Sequence, residues 1–130
     1  MAALPTLEYR VGEQCFIAPR SLAKLASARL AMPEARLVAG ATDVGLWVTK
    51  QLRPIGDMIG LGAVPELKAI HHDAGTLVIG AGASLTDAFA ALVDFEPGWA
   101  DIARRFAAPP IKNAGTLGGN LANASPIGDS

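Results

Sequence analysis

Cysteine is nearly absent from this chain, with Cys15 the only one in 130 residues. A single thiol excludes an internal disulfide framework and any metal site built from cysteines. Aromatic residues are scarce at 5% and charged residues at 18%, and 11 Lys and Arg stand against 12 Asp and Glu for a net charge of -1. Such a balance lacks the basic excess of a chain that binds nucleic acid or an anionic membrane surface, so neither is an expected partner. No stretch approaches the roughly 18 uninterrupted apolar residues of a spanning helix. Residues 1–20 lack the basic start and apolar run of an export signal. The expected setting is the cytoplasm.

Apolar surface is what the chain has in quantity: 51% of its residues are hydrophobic, and its mean hydropathy is +0.33. That argues against disorder and suggests that some of this surface meets a partner lobe. The length suits one domain, able to bury about two thirds of the surface of the unfolded chain.

Along the chain, residues 1–14 read as a leader or linker of poor order, residues 15–60 as a first α+β lobe, and residues 61–130 as the start of a second. Cys15 to Ala18 form an extended run stopped by Pro19, and Ser21 can cap a helix that Pro33 closes. Arg36 to Ala39 read as a short buried strand feeding Gly40. Asp43 then stands in the N-cap position of a helix carrying Val44, Leu46, Trp47 and Val48. Ile55 to Leu61 form another apolar segment, and residues 68–79 an antiparallel hairpin turning at Ala74-Gly75. Ser84 opens a helix over residues 85–94, and Trp99, Ile102, Ala103 and Phe106 mark another that Pro109-Pro110 ends.

Three glycine segments invite a chemical reading. Gly40-Ala41-Thr42-Asp43-Val44-Gly45 matches the first half of a phosphate-binding P-loop, but Leu46 and Trp47 replace the required Lys and Ser or Thr. What remains is either a turn whose amides and Thr42 hydroxyl hold a diphosphate, or an ordinary glycine turn capped by Asp43. Gly80-Ala81-Gly82-Ala83-Ser84-Leu85 has Leu85 in place of the third glycine of a dinucleotide fingerprint and follows a hairpin strand. Around Gly118 and Gly119, Thr116, Asn120 and Asn123 supply hydrogen-bonding groups where no helix or strand periodicity explains the run. Their clustering favours a ligand over a polar turn.

The remaining candidates have plain readings. Adjacent His71 and His72 point to opposite faces of a strand and read as surface residues, Cys15 packs as a small apolar group, and Phe106 reads as core. No residue is singled out as a catalytic acid, base or nucleophile, and none as a metal ligand.

Leu37 to Gly45, followed in order by Ile79 to Leu85 and by Phe106 to Asp129, resemble the flavin domain of the molybdenum hydroxylases, nearest to their xanthine dehydrogenase branch. The resemblance implies an α+β, PCMH-type FAD-binding fold, not a Rossmann fold, with a complete first lobe and a truncated second one. It assigns Leu37, Val38, Ala39, Gly40, Ala41, Thr42, Asp43 and Val44 to the FAD diphosphate and ribityl. Thr116, Leu117, Gly118, Gly119 and Asn120 become a second cradle, Phe106 lies against the isoalloxazine, and Asp129 contacts the flavin. Ala41 departs from the Asn or Gly common in the family.

In the intact enzyme the resemblance implies electrons passing from a molybdopterin centre through iron-sulfur clusters, both outside this chain, to FAD, with hydride then passed to NAD+. The implied partners are FAD, NAD, the remainder of the flavin subunit and a molybdenum-binding subunit. The stretch before Phe16 resembles the linker that follows an iron-sulfur domain, and the chain reads as a fragment that is inactive alone. The alternatives are the flavin subunit of a related hydroxylase acting on carbon monoxide, aldehydes or aromatic acids, and a non-catalytic interaction fragment without flavin.

Overall fold

A computed structural model of the chain describes residues 5–124. The chain divides into two compact units, Met1–Glu66 and Leu67–Ser130.

The first unit contains β1 (Leu7–Val11), β2 (Gln14–Ala18), α1 (Leu22–Ala31), β3 (Arg36–Val38), α2 (Thr42–Thr49) and β4 (Met58–Gly60). Its four-stranded sheet has the order β1-β2-β4-β3. Residues 7–11 thus correct the expectation of an unordered leader. Leu7, Tyr9 and Val11 alternate with Glu8 and Arg10, the two-residue period of a strand, and Gly12 at φ +57° lets the chain turn back antiparallel onto β2. Every residue of β1 is exposed, so burial left little mark on its composition.

β4 lies between β2 and β3 and runs parallel to both, an arrangement that requires the crossovers carried by α1 and α2. Ile59, in register with Ile17 and Leu37, is 0% exposed and anchors the core with Val64 and Cys15. The Cys15 amide donates to the Asp57 carboxylate at 2.8 Å, tying β2 to the start of β4. β3 is a second correction. It is an outer strand that, among the described residues, pairs only with β4, which leaves Leu37 exposed instead of buried. α1 starts as its sequence indicates, with the Ser21 hydroxyl accepting the Lys24 amide, and it stops at Met32, just before Pro33.

In the second unit β5 (Ile70–Asp73) and β6 (Thr76–Ile79) form the expected antiparallel hairpin. Ala74 and Gly75 both have positive φ, as a tight two-residue connection requires. α3 (Leu85–Phe95) follows, and the Ser84 hydroxyl accepts the Asp87 amide at 3.0 Å while donating to the Asp87 carboxylate at 2.7 Å. α3 buries Leu85, Ala88 and Phe89 at helical spacing, each large side chain contributing about 1.5 to 3 kcal/mol of transfer free energy. α4 (Ala100–Arg105), α5 (Pro109–Ala114) and α6 (Leu117–Asn123) complete the order.

Two further readings change here. Pro109 and Pro110 begin α5, because a proline at the first helical positions gives up only an amide that had no intrahelical partner. The glycine-rich run, expected to be without helical structure, forms α6. Thr116 caps it, its hydroxyl accepting the Gly119 amide at 3.1 Å. A cap of this kind starts a helix that side-chain periodicity cannot announce.

Candidate functional site

Between β3 and α2 the chain turns through Ala39, Gly40 and Ala41. Ala41 takes the left-handed conformation, φ 59° and ψ 12°, and Thr42 follows as the first residue of α2. A left-handed residue beside right-handed ones forms a concave nest that aims successive amides at one region of space. Gly45 is the first to reach a carbonyl of its own turn, donating to Ala41 at 2.9 Å. Among the described residues no acceptor takes the amides of Gly40, Ala41, Thr42 or Val44, and the exposed Thr42 hydroxyl also makes no hydrogen bond. An anion is the group that such a set fits.

Asp43 is not the N-cap. Ala41 holds that position without a side-chain cap bond, and Asp43 sits half-buried in the first turn. The left-handed entry starts the helix before Asp43, and a carboxylate there complements the helix dipole. Leu37 is exposed, while Val38, Ala39, Gly40 and Val44 are half-buried. The Val38 carbonyl accepts the Leu61 amide at 2.8 Å, so this end of β3 is fixed by β4's continuation.

The stretch in the second unit is built in the opposite way. The amides of Leu117, Gly118, Gly119 and Asn120 all donate within the chain, to the Ala83 carbonyl, the Ala81 carbonyl, the Thr116 hydroxyl and the Thr116 carbonyl. Leu85 donates to the Gly115 carbonyl at 3.0 Å and Ser84 bridges Thr116, so residues 81–85 and 115–118 lie side by side as a short antiparallel ladder. This stretch therefore offers a ligand its side chains, not its amides. The Asn120 side chain has no hydrogen-bond partner among the described residues.

Packing also explains Gly118, one of the glycines read as making room for a ligand, and Gly115 just before this stretch. A Cβ on Gly115 would stand 2.9 Å from Leu85 Cδ1, and one on Gly118 would stand 2.6 Å from both the Ala81 Cβ and its carbonyl oxygen. The framing loop, Gly80 to Leu85, departs from a dinucleotide motif at Leu85 and is one of the segments that carry the resemblance. Its glycines are there because a Cβ on Gly80 would overlap the Leu67 carbonyl and one on Gly82 would crowd Leu67. Phe106 is half-buried, its ring centroid 5.1 Å from that of Phe89. Asn123 is the last residue of α6, and Asp129 lies outside the described residues.

The family described as the FAD binding domain in molybdopterin dehydrogenase matches residues 9–130, from within β1 onward. The chain belongs to that family. This FAD-binding domain is 34% identical to a nicotinate hydroxylase of Emericella nidulans over 93% of its own length and 10% of that protein's. It is 31% identical to the xanthine dehydrogenase/oxidase of Gallus gallus, over 88% of this chain and 9% of that one. The carbon monoxide dehydrogenase of Hydrogenophaga pseudoflava superposes with a TM-score of 0.75 at 26% identity, covering 85% of this chain and 40% of its counterpart. The chain thus spans a small part of these relatives, and its fold is α+β of the PCMH type. The antiparallel β5–β6 hairpin before Gly80 separates it from a Rossmann domain, in which a parallel unit would stand there. Among the described residues no helix is long and apolar enough to cross a membrane.

FAD suits the residues present. Its diphosphate is the anion that the Gly40–Val44 turn can receive, and the flavin and ribityl carry the apolar and hydroxyl surfaces that half-buried small residues can face.

Proposed function

We propose that this chain binds FAD in a xanthine dehydrogenase-type enzyme, with the diphosphate held by the amides of Gly40, Ala41, Thr42 and Val44 and by the Thr42 hydroxyl. The observation that carries this reading is that the amides of Gly40, Ala41, Thr42 and Val44, beside the left-handed Ala41, have no acceptor among the described residues. Four hydrogen bonds from these amides to a charged acceptor, each contributing about 1.5 to 3 kcal/mol, are enough to fix the cofactor without a side-chain cation. In the first unit Leu37 to Ala39 lead into this turn, and in the second unit the side chains of Thr116, Asn120 and Phe106 are the groups this reading offers to a flavin.

Bound FAD supplies both the one-electron steps needed to accept electrons from iron-sulfur clusters and the hydride transfer to NAD+. The role of this chain is to bind and orient, and none of its residues acts as acid, base or nucleophile. The Gallus gallus relative supports the xanthine dehydrogenase assignment. The remainder of the flavin subunit and a molybdenum-binding subunit complete the enzyme.

Titration of the chain with FAD, followed by flavin fluorescence and by calorimetry, tests the reading. Saturable binding at one FAD per chain is expected, and an absence of heat and quenching at high FAD would overturn it. In the intact enzyme, reduction of NAD+ on addition of xanthine identifies the branch, whereas transfer only to another acceptor points to a carbon monoxide or aldehyde type.

A further inference from the structure

We infer that Ala81 is a flavin-contacting residue, occupying the place that a side chain on Gly118 would take. This rests on the reading that the Thr116–Asn120 stretch faces FAD. Gly118 is half-buried whereas Ala81 is exposed, and the space over the Gly118 Cα is filled by the Ala81 methyl and carbonyl, each 2.6 Å from where a Gly118 Cβ would stand. A ligand resting on this stretch therefore meets the Ala81 methyl first.

The position of that methyl is fixed from both sides. The Ala81 carbonyl accepts the Gly118 amide at 2.9 Å, the Ala83 carbonyl accepts the Leu117 amide at 3.0 Å, and Ala83 itself is 1% exposed. On the other flank Gly80 and Gly82 press against Leu67, with the Gly82 amide donating to the Leu67 carbonyl at 2.7 Å and the Gly80 amide to the Ala69 carbonyl at 2.8 Å. Residue 81 is thus an exposed side chain on an immobilised backbone. The size of that side chain sets how closely a planar ligand can approach the Gly118-Gly119 surface, because the backbone beneath it has no room to withdraw.

The test is a size series at this position, Ala81→Ser, Ala81→Val and Ala81→Leu, in the full chain, with FAD affinity measured by calorimetry and the melting temperature of the FAD-free protein measured alongside. The expected result is binding near wild type for Ser, a Kd that rises with side-chain volume to about tenfold or more for Leu, and a flat melting temperature. An affinity that does not change across the series overturns the inference while leaving the proposed function standing. Affinity and melting temperature falling together would make Ala81 a packing residue only, which also overturns it. If the unsubstituted chain takes up no FAD, the proposed function and this inference fall together.

Discussion

The Arg36 guanidinium lies 4.6 Å from the centroid of the Trp47 ring, joining the outer strand β3 to α2 by a cation–π contact. Arg53 approaches the same ring at 5.0 Å. The arrangement has a cost, since the Arg36 Nε is buried with no hydrogen-bond partner among the described residues. An orphaned buried donor costs about 1 to 3 kcal/mol, comparable with what a partly desolvated cation–π contact returns. Arg36→Met, which keeps the aliphatic packing and removes the orphan, is expected to leave stability within about 1 kcal/mol of wild type. Trp47→Ala removes the ring from both guanidiniums and should cost about 2 kcal/mol or more. Urea denaturation separates the two, and an Arg36→Met variant as unstable as Trp47→Ala would refute this division.

Ala41 carries a different strain. A residue with a Cβ in the left-handed region costs about 1 to 2 kcal/mol, part of which glycine would return to the unfolded chain as entropy. Ala41→Gly should therefore stabilise the protein by about 0.5 to 1 kcal/mol, with FAD affinity unchanged because the amides keep their direction. Ala41→Val should destabilise it and weaken FAD binding together. A midpoint in urea that falls on Ala41→Gly would show that the left-handed turn is not strained as described.

Thr42 isolates the hydroxyl from the amides. Its side chain is exposed and makes no hydrogen bond among the described residues, so Thr42→Val leaves the fold without a lost contact. Replacing a hydroxyl that donates to a phosphate should weaken FAD binding by about 1 to 2 kcal/mol, roughly a tenfold change in Kd. Calorimetric titration that returns the wild-type Kd would remove Thr42 from the site and leave the backbone amides to account for binding.

What could be read in the sequence was whatever local chemistry decides. Ser21 and Ser84 announced their helices because a cap is a contact between near neighbours, and Ala74-Gly75 announced its hairpin because a tight turn needs positive φ. β1 escaped notice because an outer strand exposed on all its residues shows no contrast between faces except the bare alternation of Leu7, Tyr9 and Val11. α6 was hidden for a related reason, since its cap at Thr116 and its ladder to residues 81–85 hold it where apolar spacing gives no sign. The glycines show the limit most plainly. Gly40 and Gly118 look alike in sequence, yet Gly40 lies in a turn with unpaired amides while Gly118 is pressed against Ala81, a residue distant in the chain.

That contact makes its own prediction. A Cβ on Gly118 would meet both the Ala81 methyl and the Ala81 carbonyl oxygen at 2.6 Å, and the Gly118 amide is already committed to that same carbonyl. The backbone cannot yield without breaking the ladder, so Gly118→Ala should destabilise the second unit by about 2 kcal/mol. Removing the opposing methyl with Ala81→Gly relieves one of the two overlaps and leaves the one with the carbonyl. The double variant should therefore recover part of the loss, giving a coupling energy of about 0.5 to 1 kcal/mol between the sites. Thermal unfolding of the wild type, both single variants and the double variant closes the cycle. Strict additivity would mean that the Ala81 methyl does not limit the space at Gly118, and that the ladder alone explains the glycine.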